Sequence, residues 1–303
     1  MVRGIKFVIC INEAHKKFLN FLCASLILFI YASCTEKPDL SPSQPQTIIF
    51  LGHIYQESNR IDPRLEKINF KKYDQIWLGG DICSETTEKK STLKYLDRMF
   101  DLDHPGTHWA KGNHDVRNGN LEWFQEYTGR DLFYFQQMGK LGMLVLNTNL
   151  EENCPQLNAQ FELIESLPVA AGGLSHLIVM THHVIWGESI HGVNMWETAN
   201  ANRPSWQVRC EPEGDFQSAV LPVLEEIQQS GVQVICLAGD FGQRVKQFSY
   251  LANNGIWFLG AGMNKGLSRD LDPEDSVIRL HYDPEGEKLD WEFLTIDELA
   301  EEK

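Results

Sequence analysis

The sequence predicts an α/β domain built on a largely parallel sheet. From Gln46 onward, short apolar runs alternate with longer amphipathic ones, and most of the short runs stop at a glycine or a polar residue. The first strand-like run, 47–51, stops at Gly52, and the second, 75–78, stops at Gly79-Gly80. Apolar residues at helical spacing over 92–100 then lead to a strand at 107–110, and a helical pattern over 121–127 precedes a strand at 143–147. A helix over 158–167 comes before the strand 176–181, and a helix over 216–229 before the strand 232–238, which stops at Gly239. The run 256–259 follows. The alternation ends with 276–282 and 289–295, which read as a hairpin around Asp283-Pro284-Glu285-Gly286. One stretch, 184–215, is long and irregular and holds Trp186, Trp196 and Trp206; a loop of that length in a compact domain usually has a role.

The chain has 303 residues, 43% hydrophobic and 23% charged, a globular composition that excludes collagen-like, coiled-coil and disordered classes. Its net charge of −15 argues against a nucleic-acid partner, because phosphate backbones are bound by basic surfaces. The charge is uneven. Residues 1–33 carry Arg3, Lys6, Lys16 and Lys17 against Glu13, a net +3, which leaves −18 for the rest. A 14-residue apolar run, 18–31, follows the Lys16-Lys17 pair; it is shorter than the roughly 20 residues a spanning helix needs. Basic start, short apolar segment and small residues before a break are the parts of a secretory signal over 1–33.

The break reads Tyr31-Ala32-Ser33-Cys34, similar to a bacterial lipobox in which Cys34 is acylated, although Tyr31 stands where leucine is usual. Residues 34–46 are then a Pro/Ser-rich tether ahead of a domain over 47–303. A plain cleaved signal or a short anchor are the alternatives; each places the domain outside the cytoplasm, with the membrane reached only through the N-terminus. Beyond the tether lie Cys83, Cys154, Cys210 and Cys236, with no C-x-x-C pair to suggest structural zinc. Cys154 and Cys210 sit in polar, proline-flanked stretches where an oxidising compartment permits a disulfide, and Cys236 reads as a buried thiol.

Strand ends of a parallel sheet converge on one rim, so the residues just beyond them can meet. They are Gly52-His53-Ile54-Tyr55, Gly79-Gly80-Asp81, Gly112-Asn113-His114-Asp115, Thr181-His182-His183 and Gly239-Asp240-Phe241-Gly242. Imidazole, carboxylate and amide oxygen without thiolate suit a transition-metal ion. This series resembles the calcineurin-like metallophosphoesterases, whose blocks are D-x-H, G-D, G-N-H-[DE], a strand-end H and G-H-x-H. The resemblance implies a four-layer αββα sandwich and one or two transition-metal ions (Mn, Fe or Zn).

Carried over by position, the second metal takes Asp81, Asn113, His182 and Asp240. The first would take His53, Tyr55 and Asp81, while Gly242, in the place of the last histidine, offers no side chain. Tyr55 either ligates as a phenolate or packs behind the ligands; His53 either ligates or donates a proton. The implied reaction is hydrolysis of a phosphoester, mono- or diester, by a metal-activated water attacking phosphorus, with His114 as general acid and Asp115 orienting its imidazole. His183 either replaces His182 as ligand or contacts substrate. Trp186, Arg203 and Arg117 are further candidate substrate contacts, the substrate being a phosphorylated small molecule or glycan; the alternative for the tryptophan is that it packs the long loop onto the core. The competing reading is a non-catalytic metal- or ligand-binding lipoprotein that keeps the fold, favoured by the loss of the last histidine.

Overall fold

The computed structural model describes residues 42–57, 59–117, 119–150, 153–187, 190–200, 215–263 and 272–302. The expected signal and tether up to residue 41, Cys34, Arg203, Trp206 and Cys210 lie outside them. In chain order, β1 (Gln46–Leu51) leads through a small ribbon, β2 (Tyr55–Glu57) and β3 (Arg60–Ile61), to β4 (Gln75–Leu78). Helix α1 (Lys90–Phe100) returns to β5 (Thr107–Trp109), and α2 (Asn113–Val116) and α3 (Leu121–Thr128) precede β6 (Tyr134–Met138) and β7 (Leu141–Val145). Then come α4 (Cys154–Glu165), α5 (Leu167–Ala170), β8 (His176–Thr181), α6 (Leu221–Gln229) and β9 (Gln233–Ala238). The chain closes with β10 (Gln247–Leu251), β11 (Trp257–Ala261), β12 (Ser276–Asp283), β13 (Lys288–Thr295) and α7 (Ile296–Glu301).

Two sheets form, ordered β13-β12-β1-β4-β5 and β10-β11-β9-β8-β7-β6. Their centres are parallel, β1 to β4 to β5 and β7 to β8 to β9 to β11, and antiparallel strands close the flanks. Because side chains alternate along a strand, each strand feeds two cores. Ile48 and Phe50 of β1 point between the sheets to meet Val145, Met180 and Leu237, while Ile49 and Leu51 point outward against Leu93, Leu96 and Phe124. On the far side, Leu144, Val179 and Cys236 pack under Leu157, Ile164 and Leu224 of the helices. Three apolar cores separate four layers, the αββα sandwich; burying each such side chain contributes roughly 1.5–3 kcal/mol before entropy is counted.

Most strands fall where the apolar runs lie. The region 216–229 differs in its first turn, where Phe216–Val220 winds more widely before α6 begins at Leu221 with Pro222 in its first turn. The stretch after β8 includes a short helical turn, Met195–Glu197. Cys154 is disulfide-bonded, with its partner outside the described residues, whereas Cys83 and Cys236 are free and buried. Among the described residues no helix is long and apolar enough to cross a membrane.

Candidate functional site

Both sheets end their parallel strands on the same rim, and glycines let them touch there. A Cβ on Gly239, after β9, would stand 2.0 Å from the carbonyl oxygen of Gly79, after β4. A Cβ on Gly112 would stand 2.0 Å from Asp81 Oδ1. The backbones therefore meet where any side chain would hold them apart. Two residues pay for this in strain without being glycine: His53 and Asp81 have φ of 51° and 52°, a conformation that concentrates at functional sites.

The polar side chains then converge. His182 Nε2 lies 3.5 Å from Asp81 Oδ2 and 4.0 Å from Asp240 Oδ1, and His53 Nε2 lies 3.8 Å from the same Asp81 oxygen. Each imidazole is oriented from behind: His182 Nδ1 donates to the Gly79 carbonyl at 2.8 Å and His53 Nδ1 to the Met263 carbonyl at 3.2 Å. The second oxygen of Asp81 accepts the His114 backbone N–H at 2.9 Å. Burial alone would depress the His182 pKa, but Asp81 and Asp240 outweigh it and lift it to about 10. Burial opposes ionisation of Asp81, yet His182 and His53 hold its carboxyl below the usual range. His53 is pushed down by its own burial, against the pull of Asp81 and Asp240.

These residues offer the donor types that suit a metal ion. A buried imidazole nitrogen without a hydrogen-bond partner, His182 Nε2, faces two carboxylates, and its other nitrogen is anchored to a carbonyl, the arrangement found behind metal-binding histidines. As the side chains stand, no three His, Cys, Asp or Glu among the described residues are spaced to hold an ion. His53 and His182 lean instead on Asp81 at ion-pair distance, with the His182 proton where a cation's charge would act. The family's other metal does not fit. Gly242 has φ of 114°, and a Cβ there would lie 2.2 Å from Met263 O, so backbone fills the place of the last histidine. Burial and Asp81 raise the Tyr55 pKa to about 12 at the place of the first-block histidine.

Around this centre the expected residues divide. His114 is half-buried; its Nδ1 donates to the Ser84 carbonyl at 3.0 Å, and its Nε2 lies 3.3 Å from Arg117 Nη2. Tyr55 stands between His53 and His114, with ring centroids 4.9 and 5.0 Å away. Arg117 is exposed beside them. Asp115 corrects the expectation that it orients the His114 imidazole: it is fully buried and accepts the N–H groups of Asp81, Ile82 and Gly112 together with the Thr86 hydroxyl and the Trp109 indole. Its work is to hold the β4 and β5 loops together.

Trp186 is a second correction. It is 0% exposed and packs against Phe241, Phe248 and Phe258, so no substrate reaches it. His183 is 6% exposed, with Nε2 3.2 Å from Asn113 Oδ1, so it lies against another candidate ligand. Among the described residues of that loop, Trp196 is an exposed indole, at 55%. Within the loop, Asn200 is fastened to the Asp240 turn: its N–H donates to the Asp240 carbonyl at 2.9 Å and its Nδ2 to the Phe241 carbonyl at 2.7 Å. Missing from the sequence reading are Asn147, Thr148 and Asn149, just beyond β7. Asn149 Nδ2 donates to the Lys111 carbonyl at 2.9 Å, and Thr148 Oγ1 lies 2.7 Å from His183 Nδ1. A polar triplet directly after a buried strand was the available signal.

The family profile described as calcineurin-like phosphoesterase matches residues 46–213, more than half of the chain. The chain belongs to the calcineurin-like phosphoesterase family. Among curated proteins no sequence matches it. Among solved structures it is similar to wild-type Vps29 complexed with Zn²⁺ from Entamoeba histolytica, at 12% identity and a TM-score of 0.30, covering 82% of this chain and 99% of that one.

Proposed function

We propose that the protein is a metal-dependent phosphoesterase that works with a single resident metal ion held by Asp81, Asn113, His182 and Asp240. The observation that carries this reading is the buried, unpartnered Nε2 of His182 turned toward Asp81 and Asp240. When bound, a cation such as Mn²⁺, Fe²⁺ or Zn²⁺ supplies the charge that acidifies a water and polarises the phosphoryl oxygens. The chain's own residues do the rest. His114 keeps a proton at Nδ1 through Ser84; its Nε2, which accepts from Arg117 as the side chains stand, takes up the proton for the leaving alcohol once Arg117 turns to the substrate. Arg117, beside that nitrogen, meets a phosphoryl oxygen. Tyr55 forms a wall between His53 and His114.

The test is hydrolysis of aryl phosphate mono- and diesters by the purified protein loaded in turn with Mn²⁺, Fe²⁺ and Zn²⁺. Asn113→Ala and His114→Ala are expected to lower kcat by roughly 10²–10⁴-fold, the usual worth of an acid or a positioned charge. Metal content is expected near one ion per chain, and two tightly held ions would overturn the single-site reading. The blocked position at Gly242 favours a second reading, a binding protein without turnover. One bound ion with no hydrolysis by any loaded form would establish that reading instead.

Substrates of the proposed enzyme are phosphorylated small molecules or glycans outside the cytoplasm, with the domain tethered by acylated Cys34. Radiolabelled fatty acid should enter the wild-type protein and not Cys34→Ser. Equal labelling of both would remove the lipid anchor from the proposal.

A further inference from the structure

Behind the proposed metal ligands runs a buried polar chain that no family block contains. Thr148 and His183 are 1% and 6% exposed. Thr148 Oγ1 lies 2.7 Å from His183 Nδ1, and His183 Nε2 lies 3.2 Å from Asn113 Oδ1. Thr148 comes from the end of β7, His183 from the end of β8 and Asn113 from the loop after β5, so the chain crosses from one sheet to the other. Its base is held in place: the Asn147 N–H donates to Gln160 Oε1 of α4 at 2.7 Å, and the Thr181 hydroxyl donates to the His183 carbonyl at 3.0 Å.

The hydrogen positions follow from counting donors. Asn113 Oδ1 can only accept, so a neutral His183 imidazole donates to it from Nε2, which leaves Nδ1 to accept from the Thr148 hydroxyl. An amide oxygen has two lone pairs; with one held by His183, the other is left to meet a cation. We infer that His183 is a positioning residue that orients and polarises the Asn113 carboxamide as an oxygen donor to the metal, with Thr148 fixing its tautomer. This inference rests on the proposed metal function. It reassigns His183 from substrate or direct ligand to the group behind one ligand.

Calorimetric titration of the full chain with Mn²⁺ tests it, with His183→Ala, His183→Gln and Thr148→Val alongside. Groups behind metal ligands typically govern affinity by about 10- to 100-fold. His183→Ala is expected to weaken Mn²⁺ binding within that range and to lower kcat with little change in KM. His183→Gln, which keeps an N–H donor near the Nε2 position, is expected to recover most of both. In ¹⁵N spectra of the metal-free protein, wild-type His183 should carry its proton on Nε2, and Thr148→Val should redistribute it toward Nδ1.

A cooperative thermal melt near the wild-type Tm separates loss of folding from loss of positioning. Unchanged Mn²⁺ affinity in a folded His183→Ala, or an Nδ1–H tautomer in the wild type, would overturn the inference. Absence of Mn²⁺ binding by the wild type would overturn the metal reading, and with it this role for His183.

Discussion

At the scale of single residues, burial sets the chemistry before any ligand arrives. His108 on β5 illustrates it away from the rim. It is fully buried, its Nδ1 pairs with the Tyr134 hydroxyl at 3.0 Å, and its Nε2 has no partner. Burial, helped by Arg130, pushes its pKa well below the ordinary value, so the folded protein holds it neutral. In the unfolded chain it takes up a proton near pH 6.5. The unfolded state therefore binds more protons below that pH, and the stability tied to neutral His108 is lost as pH falls. His108→Gln should cost stability at pH 8. That deficit should shrink as pH drops below 6.5, by up to about 1.4 kcal/mol per pH unit. Denaturant melts from pH 5 to 8 measure it, and a deficit constant across that range would show that His108 does not carry the linkage.

At the scale of elements, legibility followed the contrast between apolar and polar positions. The parallel strands were readable because both faces are covered: β1, β4, β8 and β9 are near-continuous buried runs, and such runs stand out from any surroundings. The flanking strands β6 and β10 were not, because the first is mostly half-buried and the second alternates exposed with half-buried residues, a pattern that polar loops share. The site divided along a similar line. Asp81, Asn113, His182 and Asp240 could be named as candidates because each follows a glycine or a strand end in a known order. Trp186 and Asp115 were misplaced because residue type alone does not say on which side of a loop a side chain falls. Trp186 turned into an aromatic cluster, and Asp115 into the floor of the loop, where five donors meet it. Thr148 had no motif to announce it; its partner His183 is 35 positions away and only the sheet brings them together. The closed position at Gly242 was visible as a missing side chain, but that backbone occupies the space is a property of packing.

At the scale of the whole molecule, the acidity of the chain sets how an anionic substrate reaches the rim. The net charge is −15, and the segment beyond residue 33 carries −18. A phosphoester approaching from bulk solution meets a repulsive field at long range and attraction only close in, from the proposed ion, Arg117 and His114. Those two ranges respond differently to salt. At about 0.01 M ionic strength the Debye length is roughly 30 Å, comparable to the domain, and at 0.15 M it is about 8 Å, so added salt removes the distant repulsion before the contact attraction. For the proposed enzyme, kcat/KM for a dianionic aryl phosphate should therefore rise between these two ionic strengths, while kcat at saturation stays flat. Most electrostatically steered associations slow with salt, so the sign alone discriminates. A monoanionic diester should respond less, in proportion to its charge. If kcat/KM instead falls with salt, local positive potential at the rim outweighs the acidic surface even at long range, and the capture of substrate is steered.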